Sequence, residues 1–406
     1  MPELRIVVDE NVLLGEETFS TFGRVITLPG SAITREAVRD ADVLIVRSVT
    51  RVGPELLDGS RVSFVGSATI GTDHIETDFL HQRGTAFAHA PGSNAESVVE
   101  YVLAALLYVA RRTGSRLNGR TIGIVGAGNI GRRLAERLPA FGFEVMLNDP
   151  PLARRAERSG LRHDFRPLTE VLEKCDIITL HVPLIRGGED PTLHLFGEVE
   201  LHSMKPGSWL INTSRGPVVD NQALLEILKH PGAGPDVAVL DVWEGEPLPS
   251  LDLVRGSMLA TPHIAGYSYD GKLAGTLMIA RALAQHLGIP EPDDIAPGRA
   301  PFALRPPDAH LPEIDWLHAL TRQMYDIVAD DDRMRSLTAE SDLGAGFRRL
   351  RRDYPVRRTF AAHWMAHWWI PPDRIRQVRD GLGLDISVRS TFFAASAAID
   401  APPHSR

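Results

Sequence analysis

Three short motifs in the second half of the chain carry side chains able to take up a proton and hold an anion. They supply Arg215, Glu246 and His263. A histidine suits proton removal because its unperturbed pKa, roughly 6.5, lies near neutral pH. A carboxylate on the other ring nitrogen would orient the imidazole; Glu246 is the candidate and Glu244 the competitor. A planar guanidinium such as that of Arg215 suits a substrate carboxylate, so the set predicts oxidation of a 2-hydroxy acid.

Each of these side chains has a structural alternative when it is taken alone. The functional interpretation rests on their occurring together behind a nucleotide-binding motif, Gly126-Ala127-Gly128-Asn129-Ile130-Gly131. The first glycine permits a tight turn, the second lets the backbone approach a pyrophosphate, and the third lets a helix pack on a strand. Asp149, 18 residues after Gly131, would hold the ribose hydroxyls and favours NAD. Arg154 and Arg155 keep NADP open as an alternative.

Short apolar runs alternate with helical stretches and predict the elements that position these side chains. The runs lie at 4–8, 42–46 and 62–65, and then at 122–125, 144–147, 177–181, 208–212 and 237–240. Strands alternating with helices indicate parallel sheets, so the fold class is α/β. Ligands bind such sheets outside the carboxyl ends of the strands, where the motifs lie. An apolar helix, capped by Ser93 or Asn94, is predicted over about 95–112.

Composition excludes several classes of protein. The 406 residues suggest two to three domains, and 44 Lys and Arg against 52 Asp and Glu give a net charge of −8. That charge disfavours nucleic-acid and anionic-membrane binding. The apolar stretch at 98–110 is too short to span a bilayer. Cys175 is the single cysteine, and the N-terminus lacks signal-peptide character, so a cytoplasmic location is expected.

At these motifs the chain resembles the D-2-hydroxyacid dehydrogenase family. The supporting stretches are 8–11 (VDEN), 46–50 (VRSVT), 64–74 (FVGSATIGTDH), 90–95 (APGSNA), 241–247 (DVWEGEP) and 261–268 (TPHIAGYS). The resemblance covers about residues 1–285 and, more weakly, the C-terminal part. It is closest to a branch of the family that oxidises 4-phospho-D-erythronate to 2-oxo-3-hydroxy-4-phosphobutanoate in pyridoxal phosphate synthesis. Other members, acting on 3-phosphoglycerate, glycerate or lactate, remain alternatives, as does an NAD-sensing corepressor or scaffold on the same fold.

The resemblance also implies the roles of individual residues. Arg215, Glu246 and His263 are the implied catalytic residues. The resemblance implies cofactor contacts from Asn129, Ile130, Asp149, Val182, Thr213, Asp241 and Gly266. The glycines of the motif, Gly126, Gly128 and Gly131, and Ser214 complete the predicted cofactor-binding set. The substrate-binding set is Ser48, Ser67 and Tyr267, to which we add Arg47 and Lys272 as phosphate candidates. Three positions depart from the family pattern, which often has Thr at Val182, Thr at Ser67 and Ala at Ile70.

The implied architecture has three parts. A flavodoxin-like substrate domain spans 1–93 and 266–287, and a Rossmann NAD domain, 94–265, is inserted into it. A proline-rich linker and a C-terminal α+β domain, 288–406, would pair two subunits into a homodimer, with a helix predicted over 314–328. Six arginines between Arg348 and Arg358 admit three interpretations: a solvated helix face, a phosphate-binding surface or, least favoured, a nucleic-acid surface.

Two further patterns lie in the C-terminal part. Trp364, Trp368 and Trp369 are spaced as on one face of an interfacial helix. His363 and His367 have the spacing of zinc ligands, but Trp364 stands where a zincin has Glu. No metal site is therefore predicted.

Overall fold

Two parallel sheets and an additional C-terminal region form the protein, which is described here by a computed structural model covering residues 3–292 and 302–386. The first sheet has the order β2-β1-β3-β4-β5, which is the flavodoxin-like arrangement. Its strands are β1 Leu4–Asp9, β2 Gly23–Leu28, β3 Val43–Val46, β4 Phe64–Ser67 and β5 Ala86–His89. The strand predicted at 62–65 therefore lies two residues later, and β2 and β5 were not predicted.

The second sheet has the order β11-β10-β9-β8-β6-β7, a Rossmann arrangement. Its strands are β6 Thr121–Val125, β7 Glu144–Asn148, β8 Ile177–Leu180, β9 Ser208–Asn212, β10 Pro235–Leu240 and β11 Leu259–Ala260. All neighbouring strands run parallel, so the carboxyl ends face one edge of the sheet. The predicted α/β class is confirmed.

Fifteen α-helices lie in the described residues, together with short 3-10 turns and one π-helical turn at Gln377–Gly381. They are α1 Gly15–Phe19, α2 Arg35–Val38, α3 Pro54–Leu57, α4 Thr77–Arg83, α5 Ala95–Thr113, α6 Asn129–Arg137, α7 Pro150–Arg158, α8 Leu168–Lys174, α9 Glu198–Ser203, α10 Asn221–Leu228, α11 Leu251–Gly256, α12 Tyr269–Leu287, α13 Glu313–Met324, α14 Ile327–Ser336 and α15 Leu343–Arg352. No helix in the described ranges is long and apolar enough to cross a membrane.

Helices α5 and α12 connect the parts of the molecule. Helix α5 is buried almost throughout and packs against α6 and α13. Its predicted side-chain cap is wrong, because Asn94 makes no capping hydrogen bond and its Oδ1 is buried without a partner. Helix α12 returns to the first sheet, where Ile279 and Leu283 share a core with Phe64.

The C-terminal region packs on the nucleotide-binding sheet through a shared core. Trp316 and Leu320 of α13 lie in the same buried cluster as Tyr101 of α5. The single helix predicted over 314–328 is wrong, since the chain breaks at Tyr325 and restarts as α14. Asp326 caps the new helix by accepting a hydrogen bond from the Ala329 N–H. The prolines at 297 and 301 of the predicted linker lie outside the described residues.

The tryptophan-rich stretch also differs from expectation. His363–Trp364 form a short strand, β13, which pairs with β12, Phe302–Ala303. His367–Trp369 form one 3-10 turn rather than part of an α-helix. The predicted common helix face for the three tryptophans is therefore wrong. Pro371 and Pro372 follow after Ile370, and proline cannot continue a helix.

Candidate active site

The turn after β6 forms a cradle suited to a pyrophosphate. Gly126 has φ +95°, a region that glycine tolerates and other residues avoid. A Cβ on Gly131 would lie 2.0 Å from the Gly126 carbonyl oxygen, so a side chain there is excluded. A Cβ on Gly128, the residue before α6, would meet nothing within 4 Å. A ligand can therefore approach the backbone at the N-terminus of α6, where free N–H groups favour anions.

Asp149 follows β7 and is tied to this cradle. Its Oδ2 accepts a 2.9 Å hydrogen bond from the Ala127 N–H, and its Oδ1 caps α7 through the Leu152 N–H. The carboxylate is thus fixed beside the glycine turn with further lone pairs free to accept ribose hydroxyls. Arg154, one of the two candidates for a 2′-phosphate with Arg155, forms ion pairs with Glu189 and Asp190 instead. This arrangement fits NAD better than NADP.

His263 and Glu246 form the predicted acid–base pair. The His263 Nδ1 lies 2.7 Å from Glu246 Oε2, while Glu246 Oε1 accepts the Trp243 N–H at 2.9 Å. Burial alone would raise the pKa of Glu246, but attraction to His263 and their hydrogen bond hold it below its usual value. The competing Glu244 binds His194 at 2.7 Å. The bond at Nδ1 leaves Nε2 of His263 for a substrate in the cavity that this residue lines.

Asp241 holds the loop that carries His263. Its Oδ1 accepts hydrogen bonds from Thr261 Oγ1 at 2.7 Å and the Ile264 N–H at 2.8 Å, and its Oδ2 accepts the Ala265 N–H at 2.9 Å. Burial raises the pKa of this carboxyl. His263 itself has φ +59°, a left-handed conformation that costs a non-glycine residue energy and persists only when its surroundings enforce it. Asp241 supplies part of that enforcement.

Arg215 follows β9 and reaches across the cleft between the two sheets. Its Nε and Nη2 lie 3.4 and 3.1 Å from Asp73 Oδ2, and its Nη1 donates to the Ser214 carbonyl at 2.8 Å. A Cβ on Gly71 would lie 2.2 Å from Arg215 Nη2, so the missing side chain makes room for the guanidinium. The remaining donors of Arg215 line the cavity and are available to an anion.

A cavity of about 360 Å³ contains these groups, and one wall of it is strongly cationic. The Tyr267 ring lies at the centre of that wall. Lys272 Nζ is 4.7 Å from the ring centroid, and the guanidinium carbons of Arg351 and Arg47 are 5.7 and 6.0 Å from it. Burial, and then repulsion from Arg47, lower the pKa of Lys272 to about 8. Three cations converging on one small volume suit a multiply charged anion.

Sequence comparison identifies the family to which this arrangement belongs. An erythronate-4-phosphate dehydrogenase from Salinibacter ruber is 48% identical over 393 residues, which is 95% of this chain and 100% of the relative. An enzyme of the same name from Shewanella loihica is 44% identical over 369 residues, covering 90% of this chain and 95% of its own. The chain belongs to the D-isomer specific 2-hydroxyacid dehydrogenases, in their erythronate-4-phosphate dehydrogenase branch. The model of the family's NAD-binding domain matches residues 106–265.

Solved structures agree with the fold. The TT0316 protein from Thermus thermophilus aligns with a TM-score of 0.60 at 27% identity, over 72% of this chain and 100% of its own. A D-lactate dehydrogenase from Aquifex aeolicus, complexed with NAD and lactic acid, aligns with a TM-score of 0.57 at 24% identity, over 70% of this chain and 96% of its own. Membership of this family confirms the predicted reaction class, an NAD-dependent dehydrogenase.

The structure brings most of the predicted site residues of this dehydrogenase to the cavity. Those that line it are Arg47, Ser48, Ile130, Thr213, Arg215, Asp241, His263, Gly266, Tyr267 and Lys272. Asn129 begins α6 at the glycine turn, and the Val182 side chain lies 3.0 Å from where a Gly126 Cβ would be. Those two residues therefore lie beside the glycine turn predicted to bind the nucleotide, and they do not line the cavity.

Two predicted contacts lie behind the cavity wall. Ser67 is fully buried, and its Oγ is 2.7 Å from Thr69 Oγ1 and 3.0 Å from His74 Nε2. Ser214 donates its N–H and hydroxyl to Asn212 Oδ1. Both side chains are occupied by neighbours, so they support the wall while Thr69 lines it.

Sequence reasoning did not single out several residues that line the cavity, among them the charged side chains of Arg51, Asp73 and Arg351. Asp73 lies inside the 64–74 stretch, and its charge opposite a predicted anion-binding arginine was the signal available. Arg351 was one of the six arginines for which a phosphate-binding surface was one of three interpretations, and it was not separated from the other five. Nothing in its spacing separates it from Arg352, whose side chain is 68% exposed and paired with Asp353.

Proposed function

We propose that this protein oxidises 4-phospho-D-erythronate with NAD to 2-oxo-3-hydroxy-4-phosphobutanoate, releasing NADH and a proton. The observation that carries the proposal is the cationic wall of Lys272, Arg351 and Arg47 in the same cavity as His263 and Arg215. A substrate with a carboxylate at one end and a phosphate at the other matches this distribution of charge. The names of the curated relatives support the same substrate.

Each site residue has a separate role in the proposed reaction. Arg215 binds the substrate carboxylate with two parallel hydrogen bonds and polarises the C2 oxygen. His263 Nε2 removes the C2 hydroxyl proton, and Glu246 stabilises the imidazolium that results. NAD, held by the glycine turn, Asp149 and the strand ends, supplies the hydride acceptor when bound. Closure of the cleft between the two sheets over bound substrate is expected to exclude water from the reacting atoms.

A substrate panel tests the proposal. NADH absorbance is followed with equal concentrations of 4-phospho-D-erythronate, 3-phosphoglycerate, D-glycerate and D-lactate, with a carbonyl-trapping reagent present. We expect fast reduction with 4-phospho-D-erythronate alone. Preference for another hydroxy acid would overturn the substrate, and silence on all four, after tightly bound NAD has been removed and replaced, would favour an NAD-sensing scaffold.

Replacing Arg351 with Met should weaken phosphate binding specifically. Loss of one charge-assisted contact costs about 1.5–3 kcal/mol, so KM for the phosphorylated substrate should rise roughly 10- to 100-fold. The KM for the non-phosphorylated analogue D-erythronate should stay unchanged. Steady-state kinetics on both substrates measure the difference, and Arg352→Met is the matched control because that arginine is exposed. Equal losses on both substrates would show that Arg351 does not read the phosphate.

The Lys272 ammonium predicts a pH dependence of substrate binding. Its pKa is lowered to about 8 in the free protein, so the cation is present below that pH and lost above it. We therefore expect kcat/KM for the phosphorylated substrate to fall as pH rises through about 8. Lys272→Arg stays charged at all accessible pH values and should flatten this limb of the profile. An unchanged profile in that variant would assign the limb to another group.

We propose a substrate domain at 1–93 and 266–287, an NAD domain at 94–265 and a C-terminal domain at 288–406 that pairs two subunits. Return of α12 to the first sheet supports the insertion, and the exposed Val356 and Trp368 side chains support an interface. Cys175, buried and unpaired, fits a cytoplasmic enzyme of pyridoxal phosphate synthesis.

A further inference from the structure

The segment after α15, residues 353–360, runs beside the cavity and is here called the strap. Its Tyr354 ring meets the Tyr267 ring edge-on, with centroids 5.7 Å apart, and its hydroxyl donates to Asp330 at 2.8 Å. Arg358 binds both oxygens of Asp270 at 2.8–3.0 Å. The strap is therefore fixed by ion pairs and ring packing to elements that border the substrate cavity.

Arg357 is the buried cation of the strap. Its side chain is buried, with 6% exposure, and its Nη2 donates to the Ala265 carbonyl at 2.8 Å and the Ser97 carbonyl at 3.0 Å. The guanidinium carbon lies 4.2 Å from the Tyr325 ring centroid, a cation–π contact. One nitrogen thus joins helix α5 to the loop that carries the catalytic histidine. Burying a cation is costly, and the two carbonyls, the Tyr325 ring and attraction to the Glu100 carboxylate offset that cost here.

The Ala265 peptide is held from both sides by buried charges. Its N–H donates to Asp241, which also binds the Ile264 N–H, and its carbonyl accepts from Arg357. His263 lies two residues earlier in the left-handed conformation, and its own N–H donates to the Asp241 carbonyl at 2.7 Å. Asp241 accepts the N–H groups of residues 263–265, and the Tyr267 N–H donates to the Ile264 carbonyl at 2.8 Å. The Ala265 carbonyl takes its donor from outside the loop, and Arg357 supplies it.

We propose that Arg357 is a positioning residue for the dehydrogenase reaction, holding the 263–267 loop so that His263 points into the cavity. The strap thereby makes the C-terminal region part of the catalytic apparatus of its own chain. This inference rests on the proposed role of His263 as the base. A misplacement of about 1 Å in a reacting group reduces turnover up to 100-fold, so loss of Arg357 should appear in kcat.

The experiment compares Arg357→Met and Arg357→Lys with the control Arg352→Met in the full-length enzyme. For Arg357→Met we expect kcat to fall about 10- to 100-fold with unchanged NAD affinity. Amide hydrogen exchange at Ile264 and Ala265 should accelerate, while exchange in β6 and β9 stays at the wild-type rate. Lysine keeps the charge and can bind one carbonyl, so Arg357→Lys should be intermediate in both measurements. Arg352→Met should match the wild type.

Two outcomes would overturn the proposal. One is a wild-type kcat in both Arg357 variants with unchanged exchange at Ile264 and Ala265. The other is acceleration spread evenly over both sheets, which would show that Arg357 only stabilises the fold. If Arg357→Met fails to fold, Arg357→Lys carries the same comparison. The exchange measurement needs no substrate, so failure of the proposed reaction and failure of the positioning role are distinguishable.

Discussion

His263→Asn should lower kcat by about 10² to 10⁴ while NAD affinity stays the same, because general-base catalysis contributes roughly that factor. The ring nitrogen that removes the hydroxyl proton is lost, whereas the glycine turn and Asp149 are untouched. Asparagine is preferred to alanine because His263 has φ +59°, and asparagine tolerates the left-handed region. Turnover and NAD binding are measured separately, by NADH absorbance and by protein fluorescence.

His194→Asn is the matched control for this variant. His194 also has a left-handed backbone, with φ +49°, and its Nε2 lies 2.7 Å from the Glu244 carboxylate. It pairs with a glutamate much as His263 does, but it is not among the residues that line the cavity. We expect kcat in this control to stay within about twofold of the wild type. Near-normal turnover in His263→Asn, or equal losses in the two variants, would reject His263 as the base.

The candidate catalytic and cofactor-binding residues were predictable because their signals are local. A buried apolar run followed by a glycine turn, or by a polar side chain at a strand end, specifies both an element and its position at the sheet edge. Gly126, Asp149 and Arg215 could be found in this way. The choice between Glu244 and Glu246 was not local, since either carboxylate could follow the same strand. The choice depends on which of the two carboxylates the loop after Trp243 directs toward His263.

The cationic wall and the strap could be predicted only in part. Arg47 and Lys272 lie in or just after stretches with family resemblance, but Arg351 reaches Tyr267 only because α15 packs against the second sheet. That packing brings together residues that are far apart in sequence, so no hydrophobic periodicity in the sequence predicts it. The error over Trp364, Trp368 and Trp369 was the reverse, because their spacing predicted a helix face that the structure does not contain. A residue pattern at helical spacing is not a helix where a short strand occupies its start and two prolines follow its end.

Arg215→Lys should reduce kcat/KM for the hydroxy acid by about 100-fold or more, through both KM and kcat. Arg215 contacts Asp73 through Nε and Nη2 and the Ser214 carbonyl through Nη1, and it still has donors free for a substrate carboxylate. A lysine ammonium is a single point with three donors and cannot hold Asp73 and a carboxylate in two parallel bonds at once. The loss of two charge-assisted hydrogen bonds, each worth about 1.5–3 kcal/mol, sets the expected size.

Asp73→Asn tests whether Arg215 acts through its ion pair with Asp73 or through direct contact with the substrate carboxylate. Asp73 is 61% exposed, so its replacement should leave the fold intact and the guanidinium free to bind the substrate. If Arg215 acts through direct contact with the carboxylate, Asp73→Asn should retain far more activity than Arg215→Lys, as measured by kcat/KM on 4-phospho-D-erythronate. Equal losses would instead mean that the ion pair across the cleft, rather than the contact with substrate, is what the reaction needs. Direct contact is the better expectation because the substrate carboxylate requires a cation in the cavity beside His263, and Arg215 is the guanidinium that the nucleotide-binding sheet places there.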